Sequence, residues 1–228
     1  PVTTYKKPKS SSSVIVNPEE SAEFNKPTLG LQWQWHANYH QFFGMPTAFG
    51  TMRVFTYKQD GGAKNLWNVP NMLLQKTPAD RFTATTKLRL TAKADGQYGG
   101  FIMMGLDYSA LVVKRVGNEF RLIQMTCKSA DKGNAQSETL IATLRPTAVD
   151  KVNYKPAIHE DIYLRMTVND GMMQFAWSQN GKKFTTCGEP FKMREGKWIG
   201  AKIGFVAADT NPNADKGWID ADWIRITK

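Results

Sequence analysis

From Gly30 onward the chain is written in short runs of β-branched and aromatic residues, broken by turn residues and almost without helical periodicity. The run from Arg81 to Thr91 sets Phe82, Ala84, Thr86, Leu88 and Leu90 on one face and Lys87 and Arg89 on the other. That alternation is what a half-buried antiparallel strand requires, because side-chain direction flips at every residue. The stretch Gln97 to Leu106, with Gly99-Gly100 inside it, predicts a more buried strand whose glycines admit a close neighbour. Three hairpins are predicted. Gly117-Asn118 joins 110–116 to 119–125, both turn residues tolerating positive φ, and Asn169-Asp170-Gly171 follows the strand 162–168. Asn180-Gly181 joins 172–178 to 182–186. Runs 199–207 and 218–226 close a set of about a dozen strands.

Strands with hairpin connections and one polar face bury their apolar sides by stacking as two sheets, so the expected fold is an all-β, antiparallel two-sheet sandwich of jelly-roll type. A length of 228 residues suits one such domain. Residues 1–27 differ in texture: they are rich in Pro, Ser and Lys, include Ser10 to Ser13, and read as a linker arriving from something upstream of a domain at 28–228.

Composition is that of a globular chain, 41% apolar and 22% charged. No window approaches a bilayer-spanning apolar run, and the start at Pro1 carries no signal-peptide core. The formal charge of +10 favours acidic partners, yet the cations stand singly or in doublets such as Lys114-Arg115 and Lys182-Lys183. That is the pattern of a solvated surface rather than of a nucleic-acid interface. Cys127 and Cys187 sit in strand-like runs and suit either a disulfide or two buried thiols. A core this large needs no staple, which favours thiols. Phosphate loops, nucleophile elbows and cysteine clusters do not occur.

Three stretches, taken together, resemble the C-terminal sandwich of glycoside hydrolase family 43 enzymes, the β-xylosidase and α-L-arabinofuranosidase group. They are Glu23 to Trp35, with Leu31-Gln32-Trp33-Gln34-Trp35 its most specific part; the hairpin Phe175 to Phe184; and the pair Trp198 to Phe205 with Gly217 to Arg225. The resemblance runs through residues 23 to 228 and implies a concanavalin A-like fold. In that family catalysis resides in a separate N-terminal propeller. The resemblance therefore implies a non-catalytic accessory domain of an enzyme degrading xylan or arabinan, secreted, periplasmic or at the cell surface. Its partners would be that propeller and a plant cell-wall oligo- or polysaccharide, with no nucleic acid and no membrane span. After Trp35 the chain departs from the family pattern, reading His36-Ala37-Asn38-Tyr39-His40-Gln41-Phe42-Phe43.

Candidate chemistry is sparse. Sugars stack on flat aromatic rings, and with seven Trp and seven Tyr the chain can build such a platform. The carbohydrate-contact candidates are Trp35, at a strand end, and Tyr39 and Trp67, in turn-rich segments. Trp33 and Trp35 are expected to share a strand face with Leu31. Trp177, Trp198, Trp218 and Trp223 lie in patterned runs and read as structural. Glycosidic hydrolysis needs a pair of carboxyl groups, and the strand spacing offers Asp220 and Asp222, expected on one face with Trp218, Ile224 and Ile226. The resemblance assigns catalysis elsewhere, leaving these aspartates as ligands for Ca²⁺, with Asp222 the better one, or as hydrogen-bond acceptors at the sheet edge. His36 and His40, four apart but outside any helix, and His159-Glu160-Asp161 lack metal-site spacing. Two other readings stand beside the accessory domain: a free-standing carbohydrate-binding module, and a sandwich glycosidase with its own carboxylates.

Overall fold

The computed structural model describes residues 3–6, 8–9, 17–146, 148–152, 155–211 and 213–228. The Ser10 to Ser13 run of the expected linker lies outside them. Among the described residues there is no α-helix, only strands and a 3₁₀ turn at Ala130–Lys132. The strands are β1 (Gln34–Trp35), β2 (Gly44–Pro46), β3 (Met52–Phe55), β4 (Tyr57–Lys58), β5 (Leu73–Lys76), β6 (Arg81–Ala92), β7 (Gln97–Met104) and β8 (Tyr108–Val116). They continue with β9 (Glu119–Cys127), β10 (Ser137–Leu144), β11 (Ala148–Val152), β12 (Lys155–Asn169), β13 (Met172–Ser178), β14 (Thr185–Lys192), β15 (Lys202–Asp209) and β16 (Trp218–Thr227).

Two sheets form. One runs β14-β13-β12-β6-β16-β3-β2, with β11 on β12; the other runs β1-β5-β15-β7-β8-β9-β10, with β4 parallel to β15. The alternation read along β6 is realised, since Phe82, Ala84, Thr86, Leu88 and Leu90 are buried while Lys87 and Arg89 face outward. Between the sheets lies a core in which Phe205 packs on Phe24, Trp33 and Phe101, with ring centroids 6.0, 5.9 and 6.0 Å away.

The centre of the second sheet is buried on both faces. Every residue of β7 and of β15 is buried, and the outward side chains Tyr98, Ile102, Met104, Val112, Met125 and Val206 join a second apolar cluster. Leu66, Val69, Met72 and Ala130, from loops rather than strands, cover it. Tyrosines pin that cover: the Tyr108 hydroxyl accepts from Leu66 N (3.0 Å) and donates to Gln136 (2.6 Å), and Tyr98 donates to Gln59 (2.7 Å). Gly100 lies where a Cβ would strike the backbone of Leu111 and Val112, the close approach expected of the Gly99-Gly100 pair.

Several local expectations change. Residues 20–24, placed in the linker by the sequence reading, pack on the sandwich. Ala22 bridges Ile224, Phe24 is buried in the core, and Glu23 pairs with Arg225 at 2.8 Å. Gly117-Asn118 closes a two-residue hairpin as expected, with Val116 paired to Glu119, and Asp170-Gly171 closes a second, where both turn residues have positive φ (47° and 81°). At Gly117-Asn118 only the glycine does (61°). The Asn180-Gly181 turn sits in a longer loop, because β14 begins at Thr185 and not at Lys182. Asn180 Oδ1 there accepts from the backbone of Lys182 and Lys183. Leu31 does not share a strand face with Trp33 and Trp35, being fully exposed in a turn ahead of β1. Cys127 and Cys187 are both buried free thiols.

Candidate functional site

At the open end of the second sheet the chain leaves β1 through His36 and gathers rings around Trp35. Tyr39 and Phe43 lie 5.9 and 5.7 Å from it, and Tyr57 lies 6.4 Å from Phe43. Trp35 is therefore a half-buried member of a ring cluster, while Tyr39 at its rim is 61% exposed. Trp67 is not part of that cluster. His36 links the two: its Nε2 lies 3.0 Å from the Trp67 carbonyl oxygen and its imidazole meets the indole edge-on at 5.9 Å.

Next to Trp67 opens a mostly apolar cleft of about 560 Å³ lined by His36, Trp67, Pro70, Met104, Trp198 and Lys202. Trp198, read from the sequence as structural, is 88% exposed. It stands in a turn ahead of β15, closed by glycines. A Cβ on Gly196 would collide with the Gly200 carbonyl, and Gly200 holds φ at 76°. The pair Gly196 and Gly200 was the available signal for a turn instead of a strand at 199.

Two polar groups converge on the same wall. Lys202 is 8% exposed and makes no side-chain hydrogen bond or ion pair with a described residue; burial pulls its ammonium below the ordinary lysine range. His36 is pushed down to about 4, first by burial and then by the Lys202 charge, against a smaller opposing pull from the Trp67 carbonyl. At neutral pH the ring is uncharged, Nε2–H donates to Trp67, and Nδ1 is buried without a partner among the described residues. The cleft thus offers indole surface and one cation at its wall.

The aspartates lie elsewhere, on the outward face of the first sheet. A bulge at Asp222 shifts the pairing of β16 with β6 between Ala221 and Trp223. Ile224 consequently turns inward with Ile219 and Ala221, and Asp220 and Asp222 do not share its face as expected. Asp220 takes a two-pronged bond from Arg53 (2.8 Å each) and a third from Trp218 Nε1 (3.0 Å), while Asp222 accepts from Lys87 at 2.7 Å. Both oxygens of Asp220 are thereby engaged by donors. Among the described residues no group of three or more His, Cys, Asp or Glu side chains stands together. Asp161 lies in the same groove, paired with Arg89, whose bonds hold its carboxyl below the ordinary range. Each of the three carboxylates faces a cation, the opposite of the apolar pocket that keeps a general acid protonated. His40 lies in the open beside Phe42, and His36 is turned to Trp67.

Comparison with known proteins gives this architecture a family. The sequence model described as the β-xylosidase C-terminal concanavalin A-like domain matches residues 21–227. The β-xylosidase of Formosa agariphila is 25% identical over 243 aligned residues, which take in 98% of this chain and 37% of that protein. Among solved structures, a glycoside hydrolase family 43 protein of Bacillus licheniformis superposes with a TM-score of 0.70 at 18% identity, over 94% of this chain and 40% of the other. The xylan β-1,4-xylosidase of Bacillus halodurans C-125 gives 0.70 at 14% identity, over 97% and 41%. A protein of Saccharomyces cerevisiae described as functionally unknown gives 0.56 at 14% identity, but there 96% of the other chain is covered. Matched across nearly its whole length while spanning well under half of the xylosidases, the chain belongs to the family of β-xylosidase C-terminal concanavalin A-like domains.

Proposed function

We propose that the chain is the non-catalytic accessory sandwich of a family 43-type glycosidase acting on xylan or arabinan polymers outside the cytoplasm. In this reading residues before Glu20 lead in from the catalytic propeller, and the Trp198 turn and its cleft face that propeller near its sugar pocket. One observation carries the reading: an almost fully exposed tryptophan, raised on a glycine-closed turn beside a buried lysine with no partner among the described residues, is a surface built to be covered. The share of the xylosidases left unmatched leaves room for a larger partner domain, and the cation-paired aspartates argue against hydrolysis by this chain alone. Tyr39, which packs on Trp35, and Trp67, in the cleft wall, are the rings this reading assigns to sugar contact.

Isolated chain should release no nitrophenol from aryl β-xylosides or α-L-arabinofuranosides. Mixed with a family 43 propeller lacking its own sandwich, it should co-elute as a complex that Trp198→Ser abolishes without altering the circular dichroism of the chain. Turnover by the isolated chain, or a complex indifferent to Trp198→Ser, would overturn the proposal. Calorimetric binding of arabinoxylan oligosaccharides with no propeller complex would favour the free-standing module, a form compatible with the nearly full-length match to the yeast protein.

A further inference from the structure

The sheet on the far side from the Trp198 cleft carries a second groove of about 560 Å³, and its floor follows from register. Across β16, β6 and β12 the outward residues align in rows: Trp223, Lys87 and Tyr163; then Arg225, Thr85 and Arg165; then Thr227, Thr83 and Thr167. Rows two residues apart are separated by about 7 Å and neighbouring strands by about 5 Å, giving a floor long and wide enough for an oligosaccharide. The β13–β14 loop makes one wall, with Asn180 and Gly181 against Tyr163, and with Phe184.

Charge on this floor is unbalanced at one point. Lys87 is paired with Asp222, and Arg225 with Glu23. Arg165 has no carboxylate among the described residues: its Nε donates to Thr85 Oγ1 at 3.1 Å, and its guanidinium lies 3.6 Å over the Phe184 ring. Stacking fixes the plane of the guanidinium, and its two terminal nitrogens make no hydrogen bond with a described residue. A flat, immobilised fork with unspent donors is the complement of a carboxylate. Exposed Lys182 and Lys183 on the same loop add to the positive field. Around the fork lie threonine hydroxyls and the paired rings of Tyr163 and Trp223, 6.2 Å apart. The rows therefore combine anion recognition with surfaces that suit a sugar.

We propose that this groove binds an acidic saccharide. The carboxylate of a uronic-acid residue seats on Arg165, the ring packs against Tyr163 and Trp223, and the hydroxyls meet Thr83, Thr85 and Thr227. This goes beyond the accessory role: it uses the opposite sheet, and it holds or fails without the propeller.

The test is affinity electrophoresis of the isolated chain in gels containing glucuronoxylan, the same polymer with its carboxyl groups reduced to alcohols, or a short DNA duplex. Glucuronoxylan should retard the chain, and reduction of the carboxyls should weaken retardation about tenfold, as should Arg165→Gln; Arg165→Lys, which keeps the charge but not the fork, should fall between. Equal retardation by native and reduced polymer, or an Arg165→Gln protein that binds like the parent, would overturn the proposal. Retardation by the duplex as strong as by the polysaccharide would overturn it too, reducing the groove to a basic surface. The polymer comparison stands even if Arg165→Gln fails to fold.

Discussion

His36 holds an imidazole where a proton would find a lysine ammonium and little water. Its folded pKa, about 4, lies below the ordinary 6.5, so the folded chain keeps the ring neutral while the unfolded chain takes up a proton first as pH falls. Stability from this group is complete above about pH 6.5 and is lost progressively down to about pH 4, by at most about 3 kcal/mol. The urea midpoint should therefore drop between pH 7 and pH 4.5, and His36→Gln, which can still donate to the Trp67 carbonyl, should remove much of that drop. A variant with the parent's full pH dependence would show that the ring protonates freely. Nothing in the sequence marked His36 for this role, since its burial comes from the far-off Trp67 and Lys202. Trp67 was legible as a ring in a turn-rich segment, and it packs half-buried against the second apolar cluster. Trp198 was not, because the apolar pair Trp198-Ile199 imitates a strand start and only its flanking glycines say otherwise.

At the level of single elements, strands were readable where one face is wet. In β6 the polar face carries Lys87 and Arg89, and the period of two is unmistakable. It was unreadable where strands pair without an apolar face: β10 has a mostly exposed burial pattern, and its Ser-Glu-Thr opening carries no alternation. The bulge in β16 illustrates a different limit. One extra residue inverts every later side chain, and no local composition announces it. Turn chemistry was visible, but turn length was not. Asn180 spends its carboxamide on Lys182 and Lys183, which lengthens the loop, and Gly181 lies under Tyr163 with φ at 71°. A Cβ there would come within 2.7 Å of the tyrosine ring. Gly181→Ala should consequently cost about 1–3 kcal/mol in chemical denaturation, with a shift in tyrosine fluorescence as the loop lifts. Parent-like stability would mean the loop relaxes freely, and the groove wall with it.

For the molecule as a whole, the number of layers was legible and the cover on the second sheet was not. The loop residues Leu66, Val69 and Met72 are too few and too irregularly spaced to announce a second core, and they acquire meaning only because β7, β8 and β15 turn apolar side chains both ways. With both faces dry, the centre of this sheet is the most protected part of the fold. Amide exchange should be slowest in β7 and β15, and Phe205→Ala, which removes the ring that Phe24, Trp33 and Phe101 share, should destabilise by about 3–5 kcal/mol. Faster exchange in β7 than in β14, at the opposite sheet's edge, would refute this ranking.

The meeting of residues 20–23 with the last strand has a mechanical consequence. Glu20 pairs with Lys228, Ala22 forms an antiparallel bridge with Ile224 and Glu23 pairs with Arg225, so residues 20–23 and the last strand lie side by side. A pull transmitted through both ends would peel these contacts in succession, like a zip, instead of loading them all together. The seam would open at low force and the doubly covered sheet would give way last.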